Sequence, residues 1–143
     1  MAQQDLIERV GYLSTPTHSW SENELQELEA YAVANNKRLN ITGVLLATPD
    51  RFLQILEGAP EVIYPLMEKI GFHPGHRDLR VFSTHPDSNR LSGKWMAVTT
   101  DHRLPDETRK HLDDIFSSFE QQARENHPLT PDQISFLGKI AQY

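Results

Sequence analysis

The chain has 143 residues and no cysteine, so it is long enough for one domain with a genuine core and cannot form disulfides, iron–sulfur clusters or cysteine nucleophiles. Its formal net charge of -6 disfavours nucleic acid as a partner, because phosphate binding depends on clustered lysine and arginine. No apolar run approaches the roughly 20 residues that cross a bilayer, and no signal pattern opens the chain, which predicts a cytoplasmic protein without a membrane partner.

The first predicted strand covers Leu6–Ser14. Alternation along a strand places Val10, Tyr12 and Ser14 on one face, with the residues between them on the other. A tyrosine in such a strand usually packs in the core while its hydroxyl reaches a polar partner. Tyr12 is therefore a candidate for a buried polar contact.

The first predicted helix starts after Ser21, which forms a capping-box signature with Glu24. Apolar residues then recur at helical spacing to about Ala34. Asn35 and Asn36 lie at the expected end of this helix. Two asparagines in that place are typical of a helix terminus, so the pattern alone gives them no function.

Two apolar runs, Ile41–Ala47 and Phe52–Leu56, flank turn residues 48–51 and predict a hairpin of buried strands. Gln54 lies in the middle of the second run. A buried amide must find hydrogen-bond partners there, or its burial costs about 1–3 kcal/mol. The pattern leaves open the alternative that Gln54 faces solvent on an edge strand.

The rest of the chain predicts one helix, two strands and a closing pair of helices. Their expected positions are 60–71, Leu79–Thr84, Lys94–Thr100, 105–119 and 130–141, with a loop at Pro86–Gly93 and a linker at Asn126–Pro128. The fifth strand contains Trp95 and Met96. No metal site is predicted, because no third ligand keeps regular spacing with His73 and His76.

The element order is β-α-β-β-α-β-β followed by two helices, which predicts a ferredoxin-like α+β sandwich. Two helices should cover one face of the sheet. The closing pair should cover the other face, since neither helix can bury its apolar stripe alone. We expect a domain over residues 1–100 and a helical extension over 101–143.

Asn35-Asn36, Ile41-Thr42-Gly43 and the run Phe52–Gly58 together resemble the signature of BLUF domains, blue-light receptors that use a flavin. The family pattern reads approximately N-N-x-x-x-x-I-T-G, then F-L-Q-V-L-E-G. Tyr12-Leu13-Ser14 is similar to the Y-x-S context of the family's first strand. The resemblance spans roughly residues 5–100.

The resemblance implies a non-covalently bound flavin, FAD or alternatively FMN or riboflavin, in a slot between two helices. The residues that it assigns to flavin binding are Leu28, Asn35, Asn36, Phe52, Lys69, Ile70 and His76. The photoactive residues that it implies are Tyr12, Gln54, Trp95 and Met96.

Two departures from the family pattern bear on this site. The family often has W-x-M where this chain has adjacent Trp95 and Met96, which leaves open which side chain faces Gln54. Gly75 stands where the family often has an arginine that helps to hold the flavin tail, and Lys69 is the basic residue that compensates. The choice between FAD and FMN stays open for the same reason.

The implied mechanism is that of a sensor and not of an enzyme. Tyr12 donates an electron and a proton to the excited flavin, and Gln54, which has a donor end and an acceptor end, rotates or tautomerises. The signal then passes through the fifth strand to the C-terminal helices. Because no effector domain follows, the output is expected to pass to a homo-oligomer or a downstream regulatory protein.

Two other functions are compatible with parts of the sequence. The change at Gly75 allows a BLUF-like interaction module that has lost flavin. A ferredoxin-like hydrolase of the acylphosphatase type would need an anion-binding loop with arginine near a strand end, and Ser14-Thr15-Pro16 does not supply one.

Overall fold

The computed structural model of the protein describes residues 7–83, 90–91, 93–125 and 129–142. The elements in chain order are β1 Glu8–Pro16, α1 Glu22–Leu39, β2 Thr42–Ala47, β3 Phe52–Gly58, α2 Pro60–Gly71, β4 His76–Ser83, β5 Ala97–Thr100, α3 Asp106–Lys110, α4 Leu112–Glu125 and α5 Pro131–Ile140. A 3-10 turn at Asp101–Arg103 joins β5 to α3.

The strands form one five-stranded sheet in the order β4-β1-β3-β2-β5. β5 runs parallel to β2, and the other neighbouring strands are antiparallel. After β1 the chain passes through α1 to β2, which is not a neighbour of β1 in the sheet. The β2–β3 hairpin then places β3 between β1 and β2. The predicted ferredoxin-like α+β sandwich is confirmed.

The two faces of the sheet carry two separate hydrophobic cores. On β3, Phe52 and Leu56 pack in the core beneath α1 and α2, whereas Leu53 and Ile55 pack in the core beneath α4 and α5. The period of two along the strand explains this division. The predicted placement of the two helix groups on opposite faces is therefore correct.

Local hydrogen bonds explain where two of the helices begin. Ser21 Oγ accepts from the Glu24 N–H at 3.1 Å, and Glu24 Oε1 accepts from the Ser21 N–H at 3.0 Å. Thr130 and Gln133 make the same reciprocal pair at the start of α5, with Pro131 in the first turn. These caps satisfy amides that have no partner within the helix.

Several expected boundaries are wrong, and one of them is the start of β4, which is His76 and not Leu79. α1 does not end before Asn35 and Asn36 but continues to Leu39, because Asn40 adopts the left-handed conformation (φ 56°) that stops it. The helix expected over 105–119 is divided at His111, which separates the exposed α3 from α4, whose apolar stripe packs on the sheet.

The fifth strand also starts later than expected. Its pairing with β2 begins at Ala97, so Trp95 and Met96 precede the strand instead of lying within it. The Trp95 carbonyl accepts a hydrogen bond from the Asn36 side chain at 2.8 Å, which diverts it from the strand ladder.

Some expectations fall on residues outside the described ranges: Leu6 and Thr84 at two strand ends, most of the loop Pro86–Gly93, and the linker Asn126–Pro128. Within the described part of the chain, no helix is both long and apolar enough to span a bilayer.

Candidate functional site

A cavity of about 540 Å³ lies between α1, α2 and the sheet. Its lining is mostly apolar with a few polar groups, as is typical of sites for small organic molecules. Every predicted site residue except Trp95 lines it: Tyr12, Leu28, Asn35, Asn36, Phe52, Gln54, Lys69, Ile70, His76 and Met96.

Tyr12 and Gln54 form the polar centre of the cavity wall. They are direct partners in the antiparallel register of β1 and β3. The Tyr12 hydroxyl donates a hydrogen bond to Gln54 Oε1. Gln54 is 8% exposed and lies on a central strand, so the alternative of a solvent-facing amide on an edge strand is wrong.

The other end of the Gln54 amide contacts Met96. Gln54 Nε2 lies 3.8 Å from the Met96 Sδ, a weak acceptor. Met96 is buried and lines the cavity, whereas Trp95 is half-buried and contributes its carbonyl to Asn36. The side chain that faces Gln54 is therefore Met96, and the structure does not bring the Trp95 side chain to the cavity.

Burial raises the pKa of the Tyr12 phenol well above its ordinary value of 10.0, because the phenolate would lose its hydration. Tyr12 is therefore a protonated donor at neutral pH. This agrees with the direction of its hydrogen bond, which requires the proton to sit on the tyrosine oxygen.

The raised pKa predicts a stability profile at alkaline pH. Above pH 10 the Tyr12 phenol ionises in the unfolded chain and not in the folded one, so its contribution to the free energy of unfolding falls as the pH rises. We expect this loss to approach about 1.4 kcal/mol per pH unit in the wild type and to be absent in Tyr12→Phe. Urea unfolding between about pH 9 and 11 measures it, and identical slopes in the two proteins would contradict the assignment.

The remaining predicted residues frame the cavity from the two helices. Leu28 on α1 and Ile70 on α2 present apolar side chains from opposite helices. Asn36 is buried and directs its amide into the cavity wall, while Asn35 Oδ1 accepts from the Arg38 guanidinium at 2.6 Å. Apolar walls with amides along one edge suit a flat heteroaromatic ring, and a flavin ring has this character.

His76 has both ring nitrogens engaged. Nε2 lies 2.8 Å from the Ile70 carbonyl and donates to it, so Nδ1 accepts from the Ser14 hydroxyl, also at 2.8 Å. His76 thereby ties the end of α2 to β1 and holds Ile70 at the cavity wall.

Sequence reasoning did not place Trp20 in the site. Trp20 lines the cavity, lies edge-on to Phe52 with ring centroids 5.7 Å apart, and donates from Nε1 to the Gly75 carbonyl at 3.2 Å. A Cβ atom at residue 75 would lie 2.4 Å from Trp20 Cζ2. Trp20 thus occupies the space that a side chain at residue 75 would take. Gly75 is the one feature of the sequence that could have indicated this position of Trp20.

The charged groups of the lining are Glu24 and Glu27 on α1 and Lys69 on α2. Hydrogen bonds from the Ser21 amide and from His18 lower the pKa of Glu24, so it stays ionised. Among the residues described, no cluster of histidine and acidic side chains could hold a metal ion.

Comparison with known proteins adds to this geometry. A family model described as "BLUF: Sensors of blue-light using FAD" matches residues 7–97. The photoactivated adenylate cyclase subunit alpha of Euglena gracilis is 31% identical over 91 residues, which cover 62% of this chain and 9% of that protein. The chain thus spans about a tenth of the length of the curated relatives that it matches.

Solved structures agree in fold. The dark-state structure of BlrB, described as a BLUF protein, has a TM-score of 0.71 at 21% identity, with 98% of each chain covered. The structure of Klebsiella pneumoniae BlrP1 with FMN and cyclic diGMP has a TM-score of 0.58 at 26% identity, covering 78% of this chain and 30% of that one.

Proposed function

The chain belongs to the BLUF family of flavin-using blue-light photoreceptors, and we propose that it holds its flavin in the cavity between α1 and α2 and senses light through Tyr12 and Gln54. The observation that carries this proposal is the hydrogen bond from the buried Tyr12 phenol to Gln54 within the wall of that cavity. A donor and an amide with two usable ends form a unit that can switch its hydrogen bonds.

The proposed binding roles follow from the lining. Leu28 and Ile70 contact the two faces of the ring, Asn35 and Asn36 bond its polar edge, and Phe52 closes the cavity beside Trp20. The proposed flavin is FAD, which the family description names, and FMN and riboflavin are alternatives.

Lys69 is the group in the cavity lining that would meet a phosphate of FAD or FMN. Glu24 and Glu27 also line the cavity and oppose an anionic tail, so the tail adds little to affinity in this proposal.

The proposed mechanism uses the chain's own groups as follows. A bound flavin supplies the light absorption and an electron acceptor. With a flavin in the cavity as the acceptor of both, Tyr12 would give up an electron and its hydroxyl proton and would take both back, so the net redox state of the protein would not change. While the proton is away, the Tyr12 oxygen becomes an acceptor and Gln54 Oε1 loses its donor. The amide rotates or tautomerises in response, and Met96 loses its contact with Nε2.

The proposed output starts at Met96, which directly precedes β5. A shift of Met96 would move β5 and then the helices α4 and α5, whose side chains share a core with Ala97. The BLUF domain is a sensor module, and we propose that this chain has no catalysis of its own and signals to a homo-oligomer or a regulatory protein in the cytoplasm.

The direct test is an absorption spectrum of the purified chain after reconstitution with FAD, FMN or riboflavin. We expect a yellow protein whose flavin band shifts to longer wavelength under blue light and returns in darkness, because the Tyr12–Gln54 hydrogen bonds alone change. Red illumination is the control, since the flavin does not absorb it. A protein that stays colourless after reconstitution would contradict the proposal.

A second candidate function is a flavin-free interaction module. The observation that favours it is Gly75, where Trp20 fills the space that a side chain at this position would take. Equilibrium dialysis with FAD separates the two, because only the photoreceptor binds the flavin.

A further inference from the structure

A buried carboxylate lies outside the cavity and has no part in the proposed photochemistry. Glu57, at 0% exposure on β3, accepts from the Arg9 Nε at 3.0 Å. Its two oxygens also accept from the backbone N–H of Leu91, at 2.9 and 2.8 Å. A buried charge is costly unless it is paired and hydrogen-bonded, so this position requires an explanation.

The neighbour of Leu91 is fixed to the same part of the sheet. The Arg90 guanidinium donates to the Asn40 carbonyl at 2.9 Å, to Thr42 Oγ1 at 3.0 Å and to the Glu57 carbonyl at 3.1 Å. Arg90 and Leu91 are therefore held by the end of α1, the start of β2 and the end of β3. β2 and β3 are also paired with each other at this point, Thr42 with Glu57 and Gly43 with Leu56.

The same stretch of chain then runs to the cavity. We name residues 90–91 and 93–96 the pre-β5 segment. The Gly43 N–H donates to the Lys94 carbonyl at 3.2 Å, Asn36 Nδ2 donates to the Trp95 carbonyl at 2.8 Å, and Gln54 Nε2 contacts the Met96 Sδ at 3.8 Å. One end of the segment is held by Glu57, and the other end contacts the side-chain amides of Asn36 and Gln54.

We propose that Glu57 is a positioning residue of the photosensor, which acts through the pre-β5 segment. Its carboxylate fixes the Leu91 amide to a central strand, so that the segment presents the Trp95 carbonyl to Asn36 and the Met96 thioether to Gln54. This inference rests on the proposed function of the cavity. It adds that the hydrogen-bond state of Gln54 is set from the opposite face of the sheet.

The alternative is that Glu57 contributes to stability alone. Measurements at the two ends of the segment distinguish the two, because a stability role would not move the environment of Met96. The chain has three methionines, so methyl-labelled methionine gives few NMR signals, and Met96→Leu identifies the one from Met96.

The test compares Glu57→Gln with Glu120→Gln. Both substitutions replace a carboxylate paired with arginine by an amide of the same shape; Glu120 accepts from Arg80 Nε at 2.9 and 2.8 Å, where α4 meets β4. In Glu57→Gln an NH2 group replaces one of the two oxygens that accept from the Leu91 N–H, so two hydrogen-bond donors face each other. We therefore expect hydrogen exchange of the Leu91 amide to accelerate by about tenfold or more.

The functional readouts are the Met96 methyl signal of the flavin-free protein and the dark recovery rate of the flavin-loaded protein. We expect Glu57→Gln to shift the Met96 signal and to change the recovery rate by at least about threefold. A change of this size corresponds to part of the free energy that one charge-assisted hydrogen bond contributes. Flavin affinity should stay within about threefold, because Glu57 does not line the cavity. Glu120→Gln should leave both readouts unchanged.

The inference is overturned if Glu57→Gln accelerates Leu91 exchange but leaves the Met96 signal and the recovery rate as in the wild type. It is also overturned if Glu120→Gln produces the same changes. If Glu57→Gln does not fold, Arg90→Gln takes its place in the comparison. Arg90 is half-buried, and its replacement removes the hydrogen bonds to Thr42 and Asn40 that also hold the pre-β5 segment. A wild type without a red shift would refute the photoreceptor proposal, and the Met96 signal in the flavin-free protein would still decide the positioning role.

Discussion

Replacing Gln54 by leucine is expected to abolish the blue-light red shift while flavin still binds. Leucine fills a similar volume, so the cavity wall is kept, but both hydrogen-bonding ends of the amide are lost. The Tyr12 hydroxyl then has no acceptor at this position, which costs about 1–3 kcal/mol of folding stability. Absorption difference spectra before and after blue illumination, at equal flavin loading, measure the effect.

Gln122→Leu is the matched control for this substitution. Gln122 is 7% exposed, close to the exposure of Gln54, and donates to Gln133 Oε1 at 2.9 Å between α4 and α5, far from the cavity wall. It should lose stability and keep the full red shift. Tyr12→Phe should behave as Gln54→Leu does, because it removes the electron and proton donor. A normal red shift in Gln54→Leu would refute the role of the amide.

Replacing Phe119 by alanine is expected to lower the free energy of unfolding by about 3–5 kcal/mol. Phe119 is fully buried on α4. Its ring centroid lies 5.6 Å from that of Phe82 on β4 and 6.3 Å from that of Phe136 on α5. The cavity left by the ring opens between the sheet and the closing helices. Chemical unfolding followed by circular dichroism and by tryptophan fluorescence measures the change, in a Trp95→Phe background where the one tryptophan is Trp20 on the other face of the sheet.

This substitution also tests whether residues 101–143 form a separate unit. If the closing helices and the sheet fold together, both signals should shift to the same lower midpoint, because they share one core. Phe72→Ala is the control, since Phe72 is 82% exposed and its loss should change stability by less than about 0.5 kcal/mol. A midpoint that moves for the helical signal alone would show that the extension unfolds independently.

Features that depend on near neighbours could be predicted from the sequence. The cap at Ser21 needs Glu24, three residues on, and the turn between β2 and β3 closes when the Thr48 N–H donates to the Arg51 carbonyl. The two cores follow from alternation along each strand, which is also local. Tyr12 and Gln54 were each predicted from their own strand, and the motif that joins them indicated the family.

The groups that meet across long stretches of the chain could be identified from the fold alone. That Met96 and not Trp95 faces Gln54 depends on the Asn36 amide, which holds a carbonyl 59 residues away, and Trp20 reaches Gly75 across 55 residues. Glu57 likewise finds Leu91 34 residues further on. Such pairs have no characteristic spacing in the sequence. Helix and strand periods constrain neighbouring residues only, whereas strand register and packing determine which distant residues meet.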